Sequence, residues 1–414
     1  GAAAALIFPT VFFGEASPST ALILSFLTFA AGFIARPIGG IIFGHFGDRI
    51  GRKKTLVIAL ILMGVSSTLI GLLPTYAMIG VTAPILLTTL RFAQGIAIGG
   101  QWGGAMLLVT ESAPSNQRGY YGAFAQAGAP AGVILANLAF IITSASVSDE
   151  SFLAWGWRIP FLASALLIAI SMYIQLNLED TKAFKELQSY KENHLKDNNL
   201  NETSFKKSPI IEAIKKYPKR IILAAGAFLS IQVTFYILIA FMLVYGVSDT
   251  NLSRADILTA ILIASAIQIP VQFVFASYSD RHGRKGIFML GAVLTALWAF
   301  AIFPLVDTGS FWLTVLAITG GLVFLAMMYG PQAAFFTELF TTEVRYSGAT
   351  LGYQFGAIAG GAFAPSIAAF LWTEYDIVWV SAYIAFASLL TLLSVMTLTE
   401  TFQTDLNETT SQEI

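Results

Sequence analysis

Gly44-His45-Phe46-Gly47-Asp48-Arg49-Ile50-Gly51-Arg52-Lys53-Lys54 places four cations and one acid in eleven residues, in the middle of an otherwise oily sequence. Part of it returns 232 residues later as Ser279-Asp280-Arg281-His282-Gly283-Arg284-Lys285. At both places a long apolar run ends, glycine permits a tight turn, an acid stands where it can cap the next helix, and cations follow. A repeat at that distance predicts two similar halves. A second repeat agrees with it: Glu111 precedes Arg118 by seven residues, and Glu338 precedes Arg345 by seven.

Hydrophobic residues make up 56% of the 414 and charged residues 11%, with a mean hydropathy of +0.73. Soluble domains carry about a quarter charged residues. So much apolar surface needs lipid as its solvent, which makes this an integral membrane protein. The absence of cysteine excludes disulfides, thiol catalysis and thiolate-bound metal. No metal or other cofactor is expected, because the three histidines, 45, 194 and 282, all fall in loops on one side. Neither is a nucleic-acid partner, since no basic face interleaved with aromatics occurs.

Apolar runs predict an all-α chain of about twelve transmembrane helices, six in residues 1–178 and six in 220–399. Residues 179–219, rich in Lys, Glu and Asn, read as a solvated linker, and 400–414 as an acidic tail. The apolar run ending at Phe13 is too short to cross about 30 Å of hydrocarbon, and we read it as the last part of a first helix rather than a signal peptide. Loops expected to share one face hold 19 of the 23 Lys and Arg residues. By the positive-inside rule that face, with the linker and tail, is cytoplasmic.

The stretch Gly-x-x-x-Asp-Arg-x-Gly-Arg-Lys from Gly44 to Lys53, with its weaker copy at 280–285, resembles the signature loop of the major facilitator superfamily. Arg36-Pro37-Ile38-Gly39-Gly40, residues 91–105 (RFAQGIAIGGQWGGA), 155–161 (WGWRIPF) and Tyr346-Ser347-Gly348-Ala349 resemble one branch, the metabolite:proton symporters. That branch includes shikimate, 2-oxoglutarate, citrate and proline/betaine transporters. The resemblance implies two pseudo-symmetric six-helix halves, a bacterial inner-membrane location, function as a monomer, and a proton as coupling ion. Two departures from the branch matter: Gln101 stands where the family has glutamate, and the acidic and aromatic motif of the family's first helix is expected just upstream of residue 1.

Charges inside a membrane are costly enough to be functional by default. Arg91, Gln94, Gln101 and Trp102 share one helical face, beside a track of Gly95, Gly99 and Gly103 that lets a neighbouring helix approach. Arg91 is expected to hold a substrate carboxylate, with the amides orienting polar groups and Trp102 forming a wall. The superfamily resemblance puts helices one, four, seven and ten around the cavity, which adds Gln232, Tyr236, Tyr329 and Gln332; Gln126 and Asn137 of the fifth helix join them. Arg36 reads equally well as a structural ion. A gating role falls to Asp48, Arg49, Arg52, Glu111 and Arg118 and to Asp280, Arg281, Arg284, Glu338 and Arg345. In it the acids meet helix N-termini across the halves and the cations bind the glutamates. Asp48 is set against a helix of the other half, Arg49 and Arg52 beside Glu111, and Glu338 beside Arg345.

No phosphate-binding loop is present, and neither a nucleophile–base pair nor a metal set suggests an enzyme. The expected function is a secondary transporter importing a small organic acid, shikimate-like, by proton symport. A gradient-independent facilitator and a proline/betaine transporter are the alternatives, and a receptor or enzyme is the remote one.

Overall fold

The computed structural model describes residues 7–50, 52–177, 209–340 and 345–402. The chain is built of helices: α1 (Phe8–Phe12), α2 (Pro18–Ile50), α3 (Arg52–Leu72), α4 (Thr82–Ser112), α5 (Arg118–Ser146) and α6 (Arg158–Asn177), then α7 (Pro218–Asp249). There follow α8 (Arg254–His282), α9 (Arg284–Asp307), α10 (Phe311–Glu338), α11, which starts with Arg345–Gly356 and ends with Ala364–Glu374, and α12 (Ile377–Thr397). Among the described residues, eight helices are long and apolar enough to cross a membrane, namely α2, α5 and α7 to α12.

Local chemistry sets the boundaries. Ser253 and Asp256 form a reciprocal capping box at the start of α8, Ser310 caps α10 and Asp376 caps α12. Gly283 alone separates α8 from α9, at φ +98°, a conformation that a side chain would strain. Arg158 donates from Nη1 to the carbonyls of Gly71 and Leu73, which α3 leaves open at its end. Both α7 and α11 contain a π turn, at Ile237–Phe241 and Ala357–Ala362.

The signature stretch departs from its expected form. Helix α2 does not end at Gly44 but continues to Ile50, and α8 continues through Asp280 to His282. Glycine within a helix costs only about 1 kcal/mol, so Gly44 and Gly47 do not end α2, and α8 ends only at Gly283. Asp280 therefore occupies the last turn of one helix and does not cap the next.

Helices before residue 178 pack as α2 on α4 and α3 on both α4 and α6; those after 208 pack as α7 on α11 and α12, and α10 on α8 and α9. Between the sets, α2 packs on α11 and α5 on both α8 and α10, while α4 also touches α10 and α11. Apolar aromatics fill the interior, including Phe12 against Trp157 and Phe241 against Phe303. The seams between the sets carry buried amides and charges, among them Gln126, Gln332 and Asp280.

Candidate functional site

Glycines fix the geometry from which the site is built. A Cβ on Gly95 would fall inside the van der Waals envelope of the Gly32 carbonyl, and one on Gly99 inside that of the Arg36 carbonyl. Gly39 meets Ile96 in the same way. The backbones of α2 and α4 thus run in direct contact, as the glycine track of α4 leads one to expect. The same α2 meets α11 at Gly40, where a Cβ would lie 3.8 Å from the methyl of Thr350.

Arg36 stands in this α2–α11 seam. Its guanidinium carbon lies 3.8 Å from the centre of the Phe33 ring. Phe33 meets Tyr236 of α7 edge to face at 5.1 Å, and Phe29 meets it at 5.2 Å. The phenols of Tyr329 (α10) and Tyr353 (α11) interact with one another, and both feel the charge of Arg36 and the proximity of Tyr236. Tyr353 also packs on Phe228 of α7 with ring centres 4.2 Å apart. Arg36 has no carboxylate and no hydrogen-bond partner among the described residues, and its Nε is buried. Thr350 Oγ1 and both amide atoms of Gln354, one turn apart on α11, are buried and unpartnered as well. Each such buried group costs about 1–3 kcal/mol. An anion entering here would relieve that cost.

The other expected site residues divide into three groups. Gln126 of α5 donates through Nε2 to Gln332 Oε1 at 2.8 Å and to the Tyr329 carbonyl at 3.4 Å, which joins the two sets one turn from the tyrosines. Gln232 is nearly buried on α7 against Gly360 of α11. Arg91 is placed elsewhere: it donates to Gln94 Oε1 at 3.3 Å and lies 5.1 Å from the ring of Phe8, both within the first set. Gln94 in turn donates to Ser67 Oγ at 2.7 Å. Gln101 leaves its buried Nε2 without a partner. Asn137 donates to the Leu258 carbonyl at 3.2 Å and ties α5 to the start of α8. The side chain of Trp102 lies outside the described residues. Arg36, which reads equally well from sequence as a structural ion, stands at the centre of the cluster together with Tyr353.

At the end of the bundle that carries Asp280, a buried charge network closes the seam between α5 and α8. Asp280 accepts from the backbone N–H groups of Gly119 and Tyr120 at 2.8 Å each, which places a carboxylate on the positive first turn of α5. Arg284 donates to Asp280 at 2.7 Å and to both oxygens of Glu338 at 3.1 and 3.2 Å. The Arg284 and Glu338 side chains are only 1% and 0% exposed. Arg118 approaches Glu338 across the sets at 3.8 Å, and Thr401 donates to it at 2.8 Å. Among the described residues Glu338 is engaged by Arg284, Arg118 and Thr401; the expected contact with Arg345 lies outside them. Arg281 is exposed and joins none of these contacts. The side chains of Asp48, Arg49, Arg52, Glu111 and Arg345 lie outside the described residues. Sequence reading did not single out Glu400, whose carboxylate accepts from the N–H groups of Arg284 and Lys285 and so caps α9. At the opposite end the sets meet through an exposed ion pair, Arg254 with Asp149 at 3.5 Å.

A helical bundle with a buried polar seam between two sets of helices, closed at one end by charges, has the layout of a solute carrier. The sequence matches the Major Facilitator Superfamily over residues 2–358 and again over 248–412, and the chain belongs to that family. It is 38% identical over 407 residues to the inner membrane metabolite transport protein YhjE of Escherichia coli, covering 96% of this chain and 89% of that one. It is 38% identical over 392 residues to the shikimate transporter of E. coli, covering 93% and 86%, and 32% identical over 403 residues to its proline/betaine transporter, covering 94% and 78%. A solved structure of the proton:xylose symporter XylE superposes with a TM-score of 0.69 at 18% identity, covering 97% of this chain and 90% of that one, which shows the shared fold. The chain is a multi-pass membrane transporter of metabolites and not an enzyme.

Proposed function

We propose that this transporter carries a small organic acid into the cell by proton symport with alternating access, and that Arg36 is the cation that holds the substrate carboxylate. One observation carries the reading: a cation about 18 Å along its helix from the signature aspartate, near the middle of a ~30 Å membrane, has an aromatic face and phenols around it and no acid among the described residues. A carboxylate supplies the missing counter-charge, and the guanidinium fork binds it in two places. Tyr236, Tyr329 and Tyr353 come from three helices of the second set, so a bound anion bridges both sets. The end bearing Asp280 is the cytoplasmic one, by the distribution of Lys and Arg. Proton coupling rests on the family branch the motifs resemble, and the proton is the coupling ion. Arg91, over Phe8 and beside Gln94, is a second cation held within the first set.

The aromatic ring of Phe29, Phe33 and Tyr236 also suits the quaternary ammonium of a betaine. Phe33 already has one face covered by Arg36, which favours the acid.

The test is uptake of labelled shikimate into sealed proteoliposomes under an inward proton gradient, with and without protonophore. Arg36→Gln is expected to abolish uptake while the protein stays folded. Undiminished uptake by that variant, or by the native protein after the gradient is collapsed, overturns the respective half of the proposal.

A further inference from the structure

Gln268 lies twelve residues before Asp280, as Arg36 lies twelve residues before Asp48. The two therefore sit at the same depth, on the two helices, α8 and α2, that pair across the sets with α5 and α11. Gln268 is fully buried, and neither its Nε2 nor its Oε1 has a hydrogen-bond partner among the described residues. Its neighbours along the same side of α8 repeat the pattern. Ser265 Oγ is buried and unpartnered three residues before it, and Gln272 Oε1 four residues after it. Gln272 marks where this face meets both α5 and α10: its Nε2 donates to the Ala123 carbonyl at 3.2 Å, and a Cβ on Gly330 would lie 3.4 Å from its Cγ. Beside this seam, on α10, Gln332 Nε2 is likewise buried and open, although its Oε1 is taken by Gln126 of α5.

Resting on the reading of Arg36 as the carboxylate holder, we propose that Gln268 is the specificity-determining counterpart of Arg36 and sets the net charge of the solute that the carrier accepts. At this depth the two seams are joined through α10, where Tyr329 interacts with Tyr353 beside Arg36 and Gln332 holds Gln126; one offers a cation and the other, among the described residues, neutral amides and a hydroxyl. The amides both donate and accept, which suits alcohol groups. A site so divided takes a monoanion with hydroxyl groups on the side away from its carboxylate. A second carboxylate would face Gln268 without a cation, and a second positive charge would face it without an acid. A solute without hydroxyls would leave the amides unpaired, the situation in which polar sites discriminate most strongly.

The experiment measures uptake of labelled shikimate, a hydroxylated monoanion, in proteoliposomes, with unlabelled 2-oxoglutarate, glycine betaine and cyclohexanecarboxylate as competitors. In Gln268→Arg, 2-oxoglutarate is expected to gain as a competitor by roughly tenfold or more relative to shikimate, the change a new charge-assisted pair produces. Gln268→Glu shifts the same ratio toward glycine betaine. Gln268→Leu, which introduces no charge and is the variant most certain to fold, should raise the KM for shikimate and leave competition by cyclohexanecarboxylate unaltered. Unchanged competitor ratios in all three variants overturn the proposal. If Arg36→Gln still transports shikimate, the carboxylate site itself is wrong; if that variant is dead while the Gln268 ratios stay fixed, only the role of Gln268 falls.

Discussion

Asp280→Asn tests the buried latch most directly. Asp280 accepts two backbone N–H groups on the first turn of α5 and one guanidinium N–H from Arg284. Asparagine retains one accepting oxygen and turns an N–H₂ group toward the other donor. Losing a hydrogen bond to a charged acceptor costs about 1.5–3 kcal/mol, and removing the charge from the helix terminus about 0.3–2 kcal/mol. Arg284 keeps Glu338 and Ser279, which limits the loss. A net of about 2–4 kcal/mol raises the population open at this end by about 30- to 900-fold relative to the closed one. The native chain has no cysteine, so Ala333→Cys supplies a clean reporter. Ala333 is fully buried on α10 with its methyl facing Gly122 of α5, inside the same seam. Maleimide labelling of the purified protein should accelerate by at least about 30-fold when Asp280→Asn is added, which is the low end of that range. An unchanged labelling rate, with the variant still folded by its thermal transition, refutes the view that Asp280 holds the seam shut.

Gly99→Ala should lose uptake together with folded yield, since the new methyl overlaps the Arg36 carbonyl and no flexible side chain can yield; uptake and detergent-stable yield check it, and normal values of both would refute it. Glu400→Ala removes the cap from α9 and should lower stability by about 1 kcal/mol, a fall in melting temperature of about 2–4 °C. Arg254→Ala breaks an ion pair whose aspartate is largely exposed, worth about 0–1 kcal/mol, so turnover should change by less than about fivefold, and high salt should erase the difference.

The sequence disclosed the membrane class, the superfamily and the repeated signature, because apolar length and motif spacing are local properties. Close packing of α4 through Gly95 and Gly99 was also legible, since only glycine leaves room for a crossing backbone. The centre of the site was not. Arg36 and Arg91 look alike in sequence, each an arginine inside an apolar helix, and only tertiary packing shows that one faces the other set while the second turns to Phe8 and Gln94. Glu400 escaped notice for a similar reason: it lies beyond α12, and its partners at 284 and 285 become neighbours only when α9 and α12 pack together. The extent of α2 and α8 was underestimated because glycine and charge were read as a break, whereas a helix end at a membrane surface tolerates both.

The nesting of Gly99 against the backbone of Arg36 bears on selectivity by size. A long side chain such as arginine gives up about 2 kcal/mol of rotamer entropy when it is fixed. Here its main chain is clamped between helices and its guanidinium rests on Phe33, so much of that loss is met during folding rather than at each turnover. Such a group is a fixed post and not a searching arm. A solute shorter than the distance from that post to the amide seam would bind one wall and leave the other empty. Only a solute of matching length would draw both sets of helices together around itself, and so the dimension between two rigid walls, more than the strength of either contact, would decide what crosses.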